Sequence, residues 1–447
     1  MSADQLRVGV LSLHNSKESK AILNAIEELG CEPVWVRREN AAVAIEDGAV
    51  TLEPAVDVIA NRLLLSNTPD PAERLGLAAT FAGVCPMLND PAAVFRAVHK
   101  FAAATTLASE GVRVPDALLA LSNDRLNEGR ERFGPVGVYK SAIGTHGGGT
   151  WKVDLTEAVN PTVGNRQAFL QRLIERNDSE HRDLRLYVVG GETVGAMYRY
   201  PPAGDWRTNV ALGGAVEDAG DVPAAVEEIA LSATEILGLD YAGVDLIEGY
   251  DGWYVLEVNP TAGFTGLFRA TGRSPAPYIA ALAIEHAGGS VDEDAIERVA
   301  TTLDDSRPAA APQPAPAPEE PPIIGYIESV VVSGTAGSTR TLAKSDTGAT
   351  RTSIDTRLAA EIGAGPIKSM TRVKSGSNKR GRARPVVDLV VGVGGTQHTV
   401  TASVVDRSHM DYPLLLGRDV LEHYQVDVRK RADEQSEGKD EPEVLEE

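Results

Sequence analysis

At 447 residues, 43% hydrophobic and 5% aromatic, the chain is long enough for two or three hydrophobic cores and is not composed like a disordered protein. Its formal net charge of −21 argues against sequence-independent nucleic-acid binding, because like charge repels phosphate, and its acidity resembles that of proteins from salt-rich, halophilic cytoplasms, where screening removes self-repulsion. Two cysteines, Cys31 and Cys85, are too few for a disulfide framework or a four-thiolate metal site, no stretch reaches membrane-spanning length, and the start MSADQLRVGVLSLHN lacks signal-peptide features, so a reduced cytoplasm without membrane contact is expected.

LRVGVLSL reads as a buried strand, SKESKAILNAIEELG as an amphipathic helix ending at Gly30, and CEPVWVR as a second strand. This βαβ opening predicts a small α/β domain over residues 1–92. A second unit is read over 93–290; the segment PAAVFRAVHKFAAATTLASEG at its start reads as a helix carrying Lys100, which by itself reads as a solvated surface lysine. The strand VGVYKSAIG then puts Lys140 before a loop with Gly144, Gly147, Gly148 and Gly149. Glycines let backbone amides approach an anion, so the loop reads either as a flap over nucleotide phosphates or as a flexible hairpin tip. It is not a Walker loop, since no G-K-[ST] followed by a helix is present.

DLRLYVVGGETVGAMYRYPPAGDWRTNVALGG predicts a strand hairpin with Arg185, Arg199 and Arg207 at or near strand positions. Several arginines in one sheet can clamp phosphate or carboxylate, although Arg199 reads equally as an outward-facing strand residue. In AGVDLIEGYDGWYVLEVNPTAG, Glu257 and Asn259 alternate with Val258, and Tyr250-Asp251-Gly252 is turn chemistry that would pair them with the strand carrying Asp245. Three oxygen ligands without histidine favour Mg²⁺ over zinc, with Mn²⁺ an alternative; the competing reading is a solvated acidic hairpin edge.

Residues 291–322 read as a linker, its RPAAAPQPAPAPEEPP core being unable to pack and favouring extended polyproline conformations. Short strands at close spacing then predict a small β domain over 323–431, and the charged stretch 432–447 reads as a disordered tail.

The order of Lys100, K-x-x-x-G-x-x-G-x-G, D-L-R, W-R-T-N, G-V-D and E-V-N resembles the ATP-grasp superfamily, specifically RimK-type glutamate ligases, over residues 1–290. The resemblance implies an α/β (α+β) ATP-grasp fold behind an N-terminal α/β domain. It implies further that Lys100 and Lys140 contact ATP phosphates, that Gly147 and Gly148 cover them, and that Asp183 lies beside the nucleotide. Arg207, Thr208 and Asn209 would approach the phosphates, with Arg207 catalytic, while Asp245, Glu257 and Asn259 bind Mg²⁺. Where the family usually carries an acidic residue beside the adenine-contacting backbone, this chain has Arg172, leaving main-chain contact at Leu173; where the family often has a basic residue before Gly-Gly, it has Ala211-Leu212. The implied reaction joins an amino acid, glutamate or similar, to a carboxylate acceptor on a protein or small molecule.

Asp346-Thr347-Gly348-Ala349 together with Leu414-Leu415-Leu416-Gly417 is similar to the retropepsin-like family once labelled ATP-dependent zinc proteases, which implies an all-β acid-protease-like barrel. His398, His409 and His423 lack zinc-ligand spacing. Aspartic proteolysis needs two carboxylates sharing a proton, and one D-T-G-A with catalytic Asp346 would require a symmetric homo-oligomer to supply them. The alternative is a domain that keeps the loop for its fold and only binds peptide, with the nucleotide-binding part regulating a peptidase as the rival to ligation.

Overall fold

The computed structural model describes residues 5–66, 71–144, 149–163, 166–175, 181–202, 206–208, 214–306, 308–309, 321–365, 367–375 and 378–433. The chain divides into two compact units, residues 1–313 and 314–447.

The first unit begins as its periodicity predicts, with strand Arg7–Leu11, helix Lys17–Glu28 and strand Glu32–Val36. Ser16 caps the helix by accepting from the Ser19 N–H, and Gly30 turns the chain away at φ +86°. Val58–Asn61 and Met87–Leu88 add in parallel to give a four-stranded sheet. Helix Ala276–His286, from much later in the chain, contributes Ile279 and Ile284 to the core formed by Val8, Val10, Ile22, Ile26 and Trp35. Cys85 is buried in this part and donates weakly to the Val56 carbonyl at 3.5 Å. Burial, and then Asp57, push its thiol up to about 11, so about one part in a thousand is thiolate at pH 8. A thiol-disulfide titration at pH 8 is therefore expected to modify Cys85 at least a hundredfold more slowly in the native protein than in urea; equal rates would contradict this burial.

A five-stranded antiparallel sheet forms the heart of the unit, in spatial order Ala215–Asp218, Glu192–Tyr200, Asp183–Val189, Tyr241–Gly249 and Gly252–Asn259. One face packs under helices Lys100–Ser109 and Ala224–Leu237 through Leu107, Leu186, Ala230, Leu237, Val244 and Val258. A second sheet pairs Val136–Ser141 with Thr150–Asp154 on one side and Arg166–Arg172 on the other. The glycine-rich loop thus joins two antiparallel strands.

Two expectations are corrected. The predicted single helix around Lys100 is two, Pro91–Val98 and Lys100–Ser109, because His99 adopts an extended ψ of 90° and its ring accepts the Ala102 N–H to start a new helix. The linker was also expected from residue 291, yet Glu293–Ala300 is a helix whose Val299 and Ala300 are packed inward, with Glu297 paired to Arg273 at 2.6 Å. The apolar residues of this amphipathic segment suffice to dock it. Residues 310–320, and the tail from 434, lie outside the described residues.

In the second unit, Ser338–Ser345, Ile323–Ser333, Asn378–Val393, Thr396–Val405, Ser353–Asp355 and Leu414–Leu416 close into a six-strand barrel, the Ile323–Ser333 to Asn378–Val393 pairing completing the ring. Its interior is aliphatic, with Val330, Val332, Ile354, Val391, Leu414 and Leu416 buried. Strands Ile367–Ser375 and Gln425–Arg431 flank it.

Candidate active site

Asp245 and Glu257 stand directly opposite each other across the Tyr241–Gly249 and Gly252–Asn259 pair, with Gly243 opposite Asn259. Residues directly opposed across a strand pair present their side chains to the same side, and a bulge after Asp245 leaves only Leu256 unpaired before pairing resumes at Leu246 and Val255. With its amide oriented to satisfy both neighbours, Asn259 donates to Glu257 Oε1 at 2.8 Å and accepts from Arg185 at 3.1 Å. The three predicted oxygen donors therefore form one cluster.

The strand Asp183–Val189 lies alongside and opposes Arg185 to Asp245. Arg185 makes a bidentate pair with Asp245, Nε to Oδ1 at 2.5 Å and Nη2 to Oδ2 at 2.7 Å. Arg199, from the next strand, pairs bidentately with Asp183 at 2.7 and 2.6 Å and reaches Asp245 Oδ2 at 2.9 Å. The outward-facing reading of Arg199 is thus overturned: the residue is 6% exposed, because Asp183 lies opposite it and draws the guanidinium inward. Burial alone would raise the Asp245 carboxyl, but Arg185 and Arg199 outweigh it and hold it down to about 2. Thr208 donates its hydroxyl to Asp183 Oδ2 at 2.5 Å, tying the W-R-T-N segment to this network.

Lys100 is equally unlike a solvated lysine. It is the first residue of its helix, its N–H donates to the Ala142 carbonyl at 2.8 Å, and its ammonium, on a side chain 9% exposed, pairs with Glu257. Lys140 is buried on strand Val136–Ser141, and burial, followed by the neighbouring Lys100 charge, pulls it down to about 8. Arg172 is exposed and pairs with Asp116, and Leu173 follows it at the edge of the same cavity. Lys152 lies over the Trp206 ring at 4.9 Å, beside Arg207. Gly147, Gly148 and Asn209 lie outside the described residues.

These side chains line one cavity of about 730 Å³, large enough for a nucleotide with a second substrate, together with residues that follow strands Arg7–Leu11 and Val58–Asn61, among them Ser16 and Arg62. Sequence reasoning singled out the metal-type carboxylates and lysines but did not commit to Arg185 and Arg199. The signal was there: in D-L-R, Asp183 and Arg185 share one strand face, and acids and arginines on neighbouring strands of one face must pair if that face is buried. Hard oxygen donors close together on a rigid hairpin, one of them the Asn259 carbonyl, fit a Mg²⁺ ion. Among the described residues no helix is long and apolar enough to cross a membrane.

The second unit's D-T-G-A loop follows strand Ser338–Ser345. Asp346 donates its N–H to the Leu416 carbonyl at 3.0 Å and accepts from the Gly348 N–H at 2.9 Å. Asp419 accepts from both the N–H and the hydroxyl of buried Thr352, and that hydroxyl accepts from the Gly417 N–H, which locks the loop to the Leu414–Leu416 strand. His398 and His423 stack at 5.2 Å with His398 on the Tyr424 hydroxyl, and no cluster of three or more His, Cys, Asp or Glu residues able to hold a metal occurs among the described residues.

Two parts of the chain match known protein families. Residues 97–282 match the RimK-like ATP-grasp domain, and residues 360–436 match the retropepsin-like aspartic endopeptidase RimB, a match that begins after the Asp346 loop. A ribosomal protein bS6--L-glutamate ligase of Salmonella paratyphi B is 32% identical over 216 residues, 44% of this chain and 71% of that protein. A tetrahydromethanopterin:alpha-L-glutamate ligase of Methanosarcina acetivorans is 29% identical over 305 residues, 58% of this chain and 93% of that protein. The crystal structure of the D-cycloserine synthetase DcsG aligns with a TM-score of 0.50 at 18% identity, covering 63% of this chain and 99% of that one, which shows a shared fold. The chain belongs to the RimK-like ATP-grasp ligases and carries a retropepsin-like domain at its C-terminal side.

Proposed function

We propose that the first unit is an ATP- and Mg²⁺-dependent carboxylate-amine ligase that adds glutamate, or a closely similar amino acid, to a carboxylate on a protein or small molecule. The observation carrying this reading is the meeting of Lys100, Lys140, Asp245 and Glu257 on one cavity wall. The reaction passes the γ-phosphoryl group of ATP to the acceptor carboxylate, and an amine then displaces phosphate to leave an amide. No protein nucleophile is needed, so the side chains act by position and charge.

Lys140, fixed on a strand and buried, and Lys100, at a helix start, would hold the phosphates; a polyphosphate would replace the mutual repulsion of the two ammoniums with attraction. Arg172 and Leu173 would flank the adenine, Asp183 would lie beside the nucleotide, and Arg207, Thr208 and Asn209 would approach the transferring group, Arg207 stabilising its charge. Asp245, Glu257 and Asn259 would hold Mg²⁺, which supplies charge neutralisation to a transferring phosphoryl group. Arg185 and Arg199 hold Asp245 charged and in place. The loop carrying Gly147 and Gly148 would exclude water from the activated acceptor.

The relatives differ in acceptor, one named for a ribosomal protein and another for a pterin cofactor, and Ala211-Leu212 gives no positive charge with which to choose. The test is mass spectrometry of the full chain at high salt with ATP, Mg²⁺, glutamate and a panel of carboxylate acceptors, with phosphate release measured in parallel. Mass increments of one glutamyl group are expected on one acceptor. Nucleotide binding without phosphate release across the panel would favour a regulatory nucleotide site instead.

The second unit is proposed to recognise or trim peptide, with cleavage requiring a second Asp346 from another copy of the chain. Asp346→Asn is expected to abolish peptidase activity while leaving glutamate ligation within twofold of wild type. Loss of ligation with both units still folded would refute this division of labour.

A further inference from the structure

One charge on the cavity wall has no partner in the network above. Arg62 follows strand Val58–Asn61 and is 3% exposed, yet no carboxylate of the described residues lies within ion-pair distance of it. One terminal nitrogen makes long contacts to the Thr261 and Ala262 carbonyls, at 3.4 and 3.3 Å, the Phe264 ring lies 5.2 Å away, and Nε has no hydrogen-bond partner. Burying a guanidinium against neutral groups alone is costly, and such charges are ordinarily compensated by an anion.

Arg62 lines the same cavity as Lys100 and Glu257, and it stands two residues beyond Asn259 through its Thr261 contact. Asn15 and Ser16, at the N-terminus of helix Lys17–Glu28, line that wall too, and aligned helix amides favour an anion there. Glu18, in the first turn, lies on the same wall; both it and Arg62 are close enough to His14 to influence its titration, which burial lowers first. The wall therefore offers a fixed cation, helix amides and one carboxylate side by side, the complement of an amino-acid head group.

We propose that Arg62 and the N-terminus of helix Lys17–Glu28 form the seat for the α-carboxylate of the amine-donating amino acid, with Glu18 facing its amino group. This inference rests on the ligase reading for the identity of the ligand as amine donor. It assigns the donor to the wall formed by the segments that follow strands Arg7–Leu11 and Val58–Asn61.

The test is calorimetric titration of the full chain, with ADP and Mg²⁺ present, by L-glutamate, its α-carboxamide and its γ-carboxamide. Wild type is expected to bind L-glutamate at least tenfold more tightly than the α-carboxamide. Arg62→Gln is expected to lose at least tenfold in glutamate affinity and to bind glutamate and the α-carboxamide equally, with ADP affinity within twofold of wild type; Arg62→Lys should retain part of the preference. If Arg62→Gln does not fold, the wild-type preference and its reduction in Arg62→Lys decide the matter. Equal binding of glutamate and its α-carboxamide by wild type, or a preference that survives in Arg62→Gln, would overturn the proposal while leaving nucleotide binding, and with it the ATP-grasp reading, intact. Arg62-dependent glutamate binding in a protein that releases no phosphate would uphold the seat and count against the ligase.

Discussion

Replacing Glu257 with Gln is expected to lower ATP-dependent phosphate release and glutamyl transfer by about a hundredfold to a thousandfold, the scale on which single groups stabilising a developing charge act. The change keeps the size of the side chain and removes one charge. It takes a carboxylate oxygen from the cluster with Asp245 and Asn259, and it leaves the Lys100 ammonium without the anion that it meets across the site. The variant should therefore also lose most of the Mg²⁺ dependence of nucleotide binding, measured as ADP affinity with and without the ion. Peptide cleavage or binding by the second unit should be unaffected. Full phosphate release by a folded Glu257→Gln protein would remove the hairpin from the reaction.

Arg199→Met is expected to have the largest effect on stability, about 3–5 kcal/mol, the cost of leaving a buried carboxylate unpaired. Arg199 makes two hydrogen bonds to Asp183 and an ion pair with Asp245, and all three side chains are at most 7% exposed. Asp245 keeps Arg185 in the variant, whereas Asp183 retains, among the described residues, only the Thr208 hydroxyl. The loss should fall mainly on Asp183, so adding Asp183→Leu should recover much of it; the double-mutant cycle measures that coupling. All four tryptophans, Trp35, Trp151, Trp206 and Trp253, belong to the first unit, so urea unfolding followed by their fluorescence reports on that unit alone. A change below 1 kcal/mol would mean that the network contributes little to folding, and full additivity would mean that Asp183 and Arg199 do not act as a pair.

Local pattern carried much of this molecule. Alternation within Y-V-L-E-V-N, a Tyr-Asp-Gly turn and an apolar strand around Asp245 are sufficient to bring two carboxylates and an amide together, because strand period and hairpin closure are properties of adjacent residues. The βαβ start and the run of short C-terminal strands were legible for the same reason. Lys100 was not, since a lysine at the start of a helix looks solvated until a strand more than 150 positions later delivers Glu257 to it. Arg199 looked outward for want of its partner: strand order decides that Asp183 lies on one side of the sheet beside it and Asp245 within reach. Arg62 carries no local signal in the chain, and only packing beside the loop after Asn259 leaves its charge buried and, among the described residues, without a carboxylate partner. The helix at Glu293–Ala300 likewise became structure rather than linker through docking, which composition weighs poorly in a short segment. By itself, then, the sequence determined the local elements, the ordered motifs and the donor types. Tertiary structure decided which charges meet, because pairing across a sheet depends on strand order and register, and burial depends on what packs above them.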